Sequence, residues 1–269
     1  MVLVCAILLG FQSFSAEVIG RCWTYNAVIK PQREEPLLVN VEIIFVKAQA
    51  HVALGVVRTP WQTEVQKLYE VSGAFDLSPT APFLVGYACW PRIMFHLLPV
   101  LEDPFPRFLS LLLEFPFSLE WSDLQEAEIS YFAKGSVARD GPRTRMGVTL
   151  RFGSLTVAET PLGQLRLMPM QAEALAFNQH TYVFTSWCIA EEECPCAWME
   201  LAPVKVEGAI REVGVVRTEF AWELAAFAEL NAEELVVRID RALTEMAQTR
   251  RLESEKMRNE LRTLGIELP

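Results

Sequence analysis

The sequence predicts an α+β protein: an antiparallel β-sheet packed by an aromatic helix, then a second β-rich region and a long C-terminal helix. Three observations carry this reading. Tyr69, Val71, Gly73, Phe75 and Leu77 alternate with Glu70, Ser72, Ala74 and Asp76, and a period of two gives each set its own face of a strand. Leu84, Tyr87, Pro91, Phe95, Leu98 and Leu101 then fall three or four residues apart, the spacing of one helix face. Near the other end, Asn231 and Glu234 stand ahead of Val236, Ile239, Leu243 and Met246, as in a capped amphipathic helix.

The elements follow in order. Residues 1–16 carry no charge. Ser13 and Ser15 suit a cleavage site, so a secretory signal is one reading. The absence of Lys or Arg near the start, and the break at Gln12, suit a buried first strand instead. The expected location is therefore cytoplasmic, with secretion the alternative if residues 1–15 are a signal peptide. Residues 17–30 read as a strand and 31–36, PQREEP, as a turn. The β-branched run 37–58 is too long for one straight strand and predicts a bend or hairpin near Ala48 to Ala50. Thr59-Pro60 ends it. The alternating strand and the aromatic helix come next, and Asp103-Pro104-Phe105-Pro106 stops the helix. Residues 107–121 form a further apolar piece broken at Pro116.

A polar stretch at 122–128 marks a boundary. Beyond it, Met146 to Glu159 and Gln164 to Met170 flank a Thr160-Pro161-Leu162-Gly163 turn, a hairpin signal. Residues 174–188 and 197–217 add strand-like runs. Phe220, Leu224 and Phe227 share one helical face, and a single helix is expected from Asn231 to about Leu264, stopped by Gly265. Its apolar seam lapses over AQTRRLESEK, where every face is polar. The expected units are thus 1–121, 122–217 and 218–269. The pentapeptide Gly55-Val56-Val57-Arg58-Thr59 recurs as Gly214-Val215-Val216-Arg217-Thr218, which raises a duplicated β unit or a coincidence in a Val-rich chain.

Composition limits function. The chain has 269 residues and is 51% hydrophobic and 22% charged, enough core material for a folded protein. A net charge of −10 argues against a nucleic-acid backbone as partner, because phosphate contacts need a basic patch. No segment reaches the roughly 18 uncharged apolar residues of a membrane-spanning helix. His51, His96 and His180 lie far apart, and no phosphate loop, dinucleotide fingerprint, metalloprotease or hydrolase motif is present. Cys188, Cys194 and Cys196 form a C-x5-C-P-C cluster that suits a soft metal with His180 as fourth ligand. Glu191, Glu192 and Glu193 beside it oppose thiolate formation, and a loop of incidental cysteines accounts for the same residues. Without catalytic motifs, the chain is expected to be non-enzymatic and to need no cofactor.

At Val71 to Leu101 the pattern resembles SecB-type chaperones. Gly73, Phe75 and Leu77 end a strand, and Cys89, Trp90, Pro91, Arg92, Ile93, Met94 and Phe95 follow, similar to the Cys-Pro or Trp-Pro core of that family's helix. The resemblance covers residues 17–120. Trp90 is an insertion against the Cys-Pro form, and residues 122–269 have no counterpart. The resemblance implies an antiparallel sheet with a packed helix, built into an oligomer that holds unfolded polypeptide in apolar grooves. An aromatic shelf that binds extended apolar segments agrees with the residues themselves. The candidate polypeptide-binding residues are Phe75, Leu84, Tyr87, Trp90, Phe95 and Leu98, with burial in the core as the competing account for each. The expected partners are unfolded polypeptide or a partner protein, in a homo-oligomer or as a structural subunit of a larger assembly.

Overall fold

Alternation proves to organise most of the chain, well beyond the segment that announces it. In a computed structural model, the described residues are 19–33, 35–47, 50–72, 93–102, 105–114, 126, 128–135, 144–175, 180–189 and 204–269. They form strands β1 (Ile19–Pro31), β2 (Leu37–Lys47), β3 (Ala50–Arg58), β4 (Thr63–Ser72), β5 (Ile93–Glu102), β6 (Phe105–Glu114), β7 (Glu128–Gly135), β8 (Thr144–Phe152), β9 (Thr156–Thr160), β10 (Gly163–Leu175), β11 (His180–Ile189), β12 (Lys205–Glu212) and β13 (Val215–Leu230). Helices α1 (Ala232–Ala247) and α2 (Arg251–Thr263) follow. The protein is mainly β, which corrects the α+β expectation.

One 11-stranded sheet runs in the order β4-β3-β2-β1-β13-β12-β11-β10-β8-β7, with β9 paired to β10, and β5-β6 form a separate two-stranded sheet. All pairings are antiparallel. The units expected at 1–121, 122–217 and 218–269 contribute to one sheet, because β1 pairs along its length with β13. The hairpin expected near residues 48–50 is the β2-β3 connection, where Lys47 faces His51. The one expected at 160–163 joins β9 to β10.

Two elements differ from expectation for identifiable reasons. The aromatic helix is not formed where it is described: Ile93–Glu102 is strand β5, paired with β6 from Ile93↔Glu114 to Glu102↔Phe105. In a nearly continuous apolar run, some residues always fall three or four apart, so helical spacing there discriminates poorly. Pro99 is also costly inside a helix, but a strand of a two-stranded sheet has an outer edge where a missing N–H is tolerated.

Phe220, Leu224 and Phe227 lie on strand β13, not on a helix. Phe220, Trp222 and Leu224 alternate, and the register of β1 against β13 then slips between Thr24 and Tyr25, from Thr24↔Ala226 to Tyr25↔Leu224. Ala225 is the extra residue of a β-bulge. Its insertion turns the next step from two to three and gives a strand the spacing of a helix.

The capping box at Asn231 is formed. The Glu234 N–H donates to Asn231 Oδ1 at 2.9 Å, and the Asn231 N–H donates to Glu234 Oε2 at 3.0 Å. The expected single helix is a hairpin: the polar stretch around Gln248–Arg250 is its corner. Gly265, at φ 84°, ends α2 in a Schellman motif, with Ile266 N–H donating to the Leu261 carbonyl and Gly265 N–H to that of Arg262, both at 3.1 Å.

The repeated Gly-Val-Val-Arg-Thr is not a duplicated unit. Gly55–Arg58 runs down β3 into a turn, whereas Val215–Thr218 leaves a turn and runs up β13. With β2 and β1 between them and all pairings antiparallel, the two copies run in opposite directions.

Candidate functional site

The site that best matches an apolar shelf is the inner face of the large sheet, built by period two. On β1, Trp23, Tyr25, Ala27 and Ile29 are buried, opposite Ile43, Val41, Val39 and Leu37 of β2. Across the other edge of β1, Trp222 faces Ala27 and Phe220 faces Ile29. The face continues through Val206 of β12, Phe184 of β11, Met168 and Met170 of β10, and Leu150 and Phe152 of β8, all buried.

Aromatic rings are concentrated at its centre. Trp23 meets Phe227 edge-on, with centroids 5.0 Å apart, and Tyr25 meets Trp222 at 5.1 Å, within the range of favourable ring pairs. Gly208 makes room for two more rings. A Cβ there would lie 2.6 Å from Phe184 Cβ, from Phe220 Cζ and from the Val183 carbonyl oxygen, so any side chain would collide with backbone.

One polar atom stands out in this wall. Trp222 is 3% exposed, and its Nε1–H is buried with no acceptor among the described residues. A buried donor left without a partner costs about 1–3 kcal/mol.

The β5-β6 hairpin comes near the same strands. It approaches β1, β3, β4 and β13, yet among the described residues its two strands pair with each other and not with the large sheet. β6 also lies near β7, so both edge strands of the large sheet, β4 and β7, come close to the hairpin.

The outer face differs between the two halves of the sheet. Over β1 to β4, α1 and α2 bury Cys22, Ile44, Val46, Val52, Leu54, Val56 and Val65 beneath Leu235, Ile239, Leu243, Met246, Met257 and Leu261. Gly20 belongs here, since its Cβ would lie 2.6 Å from Leu235 Cδ1. Charged pairs ring the apolar contact. Arg58 donates from Nε to Glu245 Oε2 at 2.7 Å and lies 3.1 Å from Glu42. Arg241 and Thr63 also bond Glu245, at 3.0 and 3.3 Å. Arg250 meets Glu64 at 3.1 Å, Lys67 meets Glu260, and Arg258 meets Asp240.

Each fully buried aliphatic side chain contributes about 1.5–3 kcal/mol, and each partly exposed ion pair at most about 1 kcal/mol. Apolar burial therefore holds the helices down, and the pairs set where they sit. Burial pushes the Glu245 carboxyl up, but its bonds from Arg58, Arg241 and Thr63 outweigh this and hold it below the usual carboxylate range. Glu42 and Glu245 share Arg58, so this cluster is a neutralised dock and not an acid–base pair. Burial raises the Cys22 thiol, which keeps it protonated and unreactive.

Of the residues expected to bind polypeptide, Phe75, Leu84, Tyr87 and Trp90 lie outside the described residues. Phe95 and Leu98 fall on β5, facing Leu112 and Leu109 of β6. Sequence reasoning missed Trp23, Tyr25, Phe184, Phe220 and Trp222. Their signal was the alternation within β1 and β13, legible once a one-residue bulge is allowed.

Cys194 and Cys196 lie outside the described residues. His180 and Cys188 stand at opposite ends of β11, about 26 Å apart at the rise of an extended strand, so His180 cannot complete a metal site with Cys188. Among the described residues no group of three or more His, Cys, Asp or Glu is placed to hold a metal ion. No helix among them is long and apolar enough to cross a membrane.

No family model matches the chain and no curated protein matches it. Two solved structures do. One is described as a "putative lipoprotein" from Parabacteroides distasonis, 10% identical, covering 78% of this chain and 95% of its own, with a TM-score of 0.35. The other is described as a "putative exported protein with YmcC-like fold" from Bacteroides fragilis, 10% identical, covering 79% and 95%, with a TM-score of 0.26. Neither description is of a SecB-type chaperone, and the segment that suggested one forms a strand at Ile93–Glu102, so the resemblance is withdrawn together with its chaperone assignment. The descriptions also run against the cytoplasmic location, which is withdrawn as well; at these TM-scores the likeness assigns no location in its place.

Proposed function

We propose that the chain is a non-enzymatic protein that binds an extended apolar segment of a partner polypeptide against the inner face of its sheet. The observation that carries this reading is the β5-β6 hairpin, whose sequence is IMFHLLPVLE and FPRFLSLLLE. It approaches β1, β3, β4 and β13 without joining the sheet's ladder. An apolar strand outside the ladder is exchangeable for another of the same kind, because the hydrophobic contact is non-directional. Trp222 Nε1–H supplies the polar term. It has no acceptor among the described residues, and a backbone carbonyl of an incoming strand would supply one.

The test is a fluorescence-anisotropy titration of the full chain with a labelled, unstructured peptide rich in Leu and Phe. Binding with a dissociation constant of micromolar order is expected, equivalent to about 8 kcal/mol. Trp222→Phe should weaken it about fivefold or more, the loss of one net hydrogen bond, while the free protein keeps its fold. The reading fails if the peptide does not bind, or if it binds Trp222→Phe as well as the parent.

A further inference from the structure

Large apolar side chains left exposed gather at one end of the sheet. Leu38, Trp61, Val213, Val215 and Leu252 are exposed. Trp61 lies in the β3-β4 turn, and Val213 forms the β12-β13 turn with Gly214. Leu38 is the second residue of β2, two residues before Asn40, which faces Arg58 at the end of β3. Leu252 follows Arg250, whose guanidinium meets Glu64 at the start of β4. In an antiparallel sheet of this order, the ends of β1, β3 and β12 and the starts of β2, β4 and β13 share one rim. Val157 and Val237, also exposed, lie elsewhere, on β9 and on α1.

Two details indicate that these tips are more than incidental. Val213 sits at φ 50°, followed by Gly214 at φ 79°. That two-residue turn suits Asn-Gly, and a β-branched residue is strained there. The strain gains no packing, since Val213 is 73% exposed. Trp61, 56% exposed, is presented by a braced turn. Thr59 N–H and its hydroxyl both donate to the Gln62 carbonyl, at 2.9 and 3.1 Å, and Gln62 N–H donates back to the Thr59 hydroxyl at 3.2 Å.

We infer that this rim is a lipid-bilayer contact, with Trp61, Val213 and their neighbours entering the interfacial layer. The exposed tips are spread along the rim from β4 to β12, across six neighbouring strands. A bilayer accepts isolated projections, whereas a protein interface buries its anchors in a packed core. Trp, apolar on its face and polar at its N–H, is the side chain suited to that depth. The rim's formal charge is close to balance, with Lys30, Arg33, Arg211 and Arg217 against Glu35, Glu212 and Glu219. Contact is therefore driven by apolar insertion and does not need anionic lipid.

Co-sedimentation of the full chain with vesicles tests this, using phosphatidylcholine alone and phosphatidylcholine mixed with phosphatidylglycerol. The protein should sediment with both to similar extents. Val213→Asn and Trp61→Ser should each reduce partitioning about tenfold, the effect of withdrawing one large apolar group, and Val157→Asn, away from the rim, should leave it unchanged. Val213→Asn relieves the turn, so its unfolding midpoint should hold or rise, which separates lost binding from lost fold. The inference is overturned if neither vesicle sediments the protein, as for a rim that meets a protein partner. It is equally overturned if only anionic vesicles do so, or if Val157→Asn loses as much as Val213→Asn.

Discussion

Strands β1 to β4 and strands β8 to β12 belong to one sheet, yet they are built to different specifications. β2 and β3 are buried on both faces, under the α1-α2 hairpin outside and within the aromatic wall inside. They read as near-continuous apolar runs, LLVNVEIIFVK and AHVALGVVR. β10 and β12 keep one face outward, with Glu207, Arg211, Gln171 and Glu173 exposed on it, and their sequences alternate. A strand's pattern thus records how many faces are covered rather than which sheet it joins.

The largest effect should come from the doubly covered half. Leu243, on α1, is fully buried in the outer cluster, and Leu243→Ala should cost about 2–5 kcal/mol. Val183, only partly buried on the outer face of β11, should cost less than about 1 kcal/mol as Ala. Denaturant midpoints measure both, and equal losses would erase the distinction between the halves.

The glycines sharpen it. A Cβ at Gly208 meets the Val183 carbonyl, which is backbone, whereas one at Gly20 meets only the end of the Leu235 side chain. Gly208→Ala should cost about 2–3 kcal/mol and Gly20→Ala less, since a flexible side chain can turn aside. Thermal unfolding of the pair reads the order.

Smaller effects mark the helical dock. The Ser254 hydroxyl donates to the Leu243 carbonyl at 2.6 Å and ties α2 to α1, so Ser254→Ala should cost about 1 kcal/mol. Glu245 has its carboxyl held low in the folded state, so its contribution is present above the unfolded value, 4.5. It is lost as pH falls through the lower folded value. The stability difference between the parent and Glu245→Gln should be steady near neutrality and shrink in acid; a difference that grows in acid would reverse the assignment. Val213→Asn, in the opposite sense, should stabilise by about 1 kcal/mol by relieving the left-handed backbone.

These contrasts also explain what the sequence could reveal. The capping box at Asn231 and Glu234, the stop at Gly265 and the turns near residues 48–50 and 160–163 are local, set by hydrogen bonds within a few residues, and they were legible. The strand identity of β13 was hidden by a single bulge residue, Ala225. The break between α1 and α2 was visible as a lapse in the seam, but a polar stretch reads equally as exposed helix or as a corner until its partner is known. The pairing of β1 with β13 joins residues about two hundred positions apart, and nothing local announces it. The aromatic wall depends on that pairing, because Tyr25 and Trp222 meet only through it.

Hydrogen exchange of the full chain, with and without a saturating apolar peptide, tests the account most directly. β5 and β6 should exchange through a local opening well below global unfolding, while β1 to β3 exchange only with global unfolding. Bound peptide should speed exchange in β5 and β6, as the hairpin is displaced, and leave β1 to β3 protected. Protection of β5 and β6 equal to that of β1 to β3, and indifferent to peptide, would contradict it.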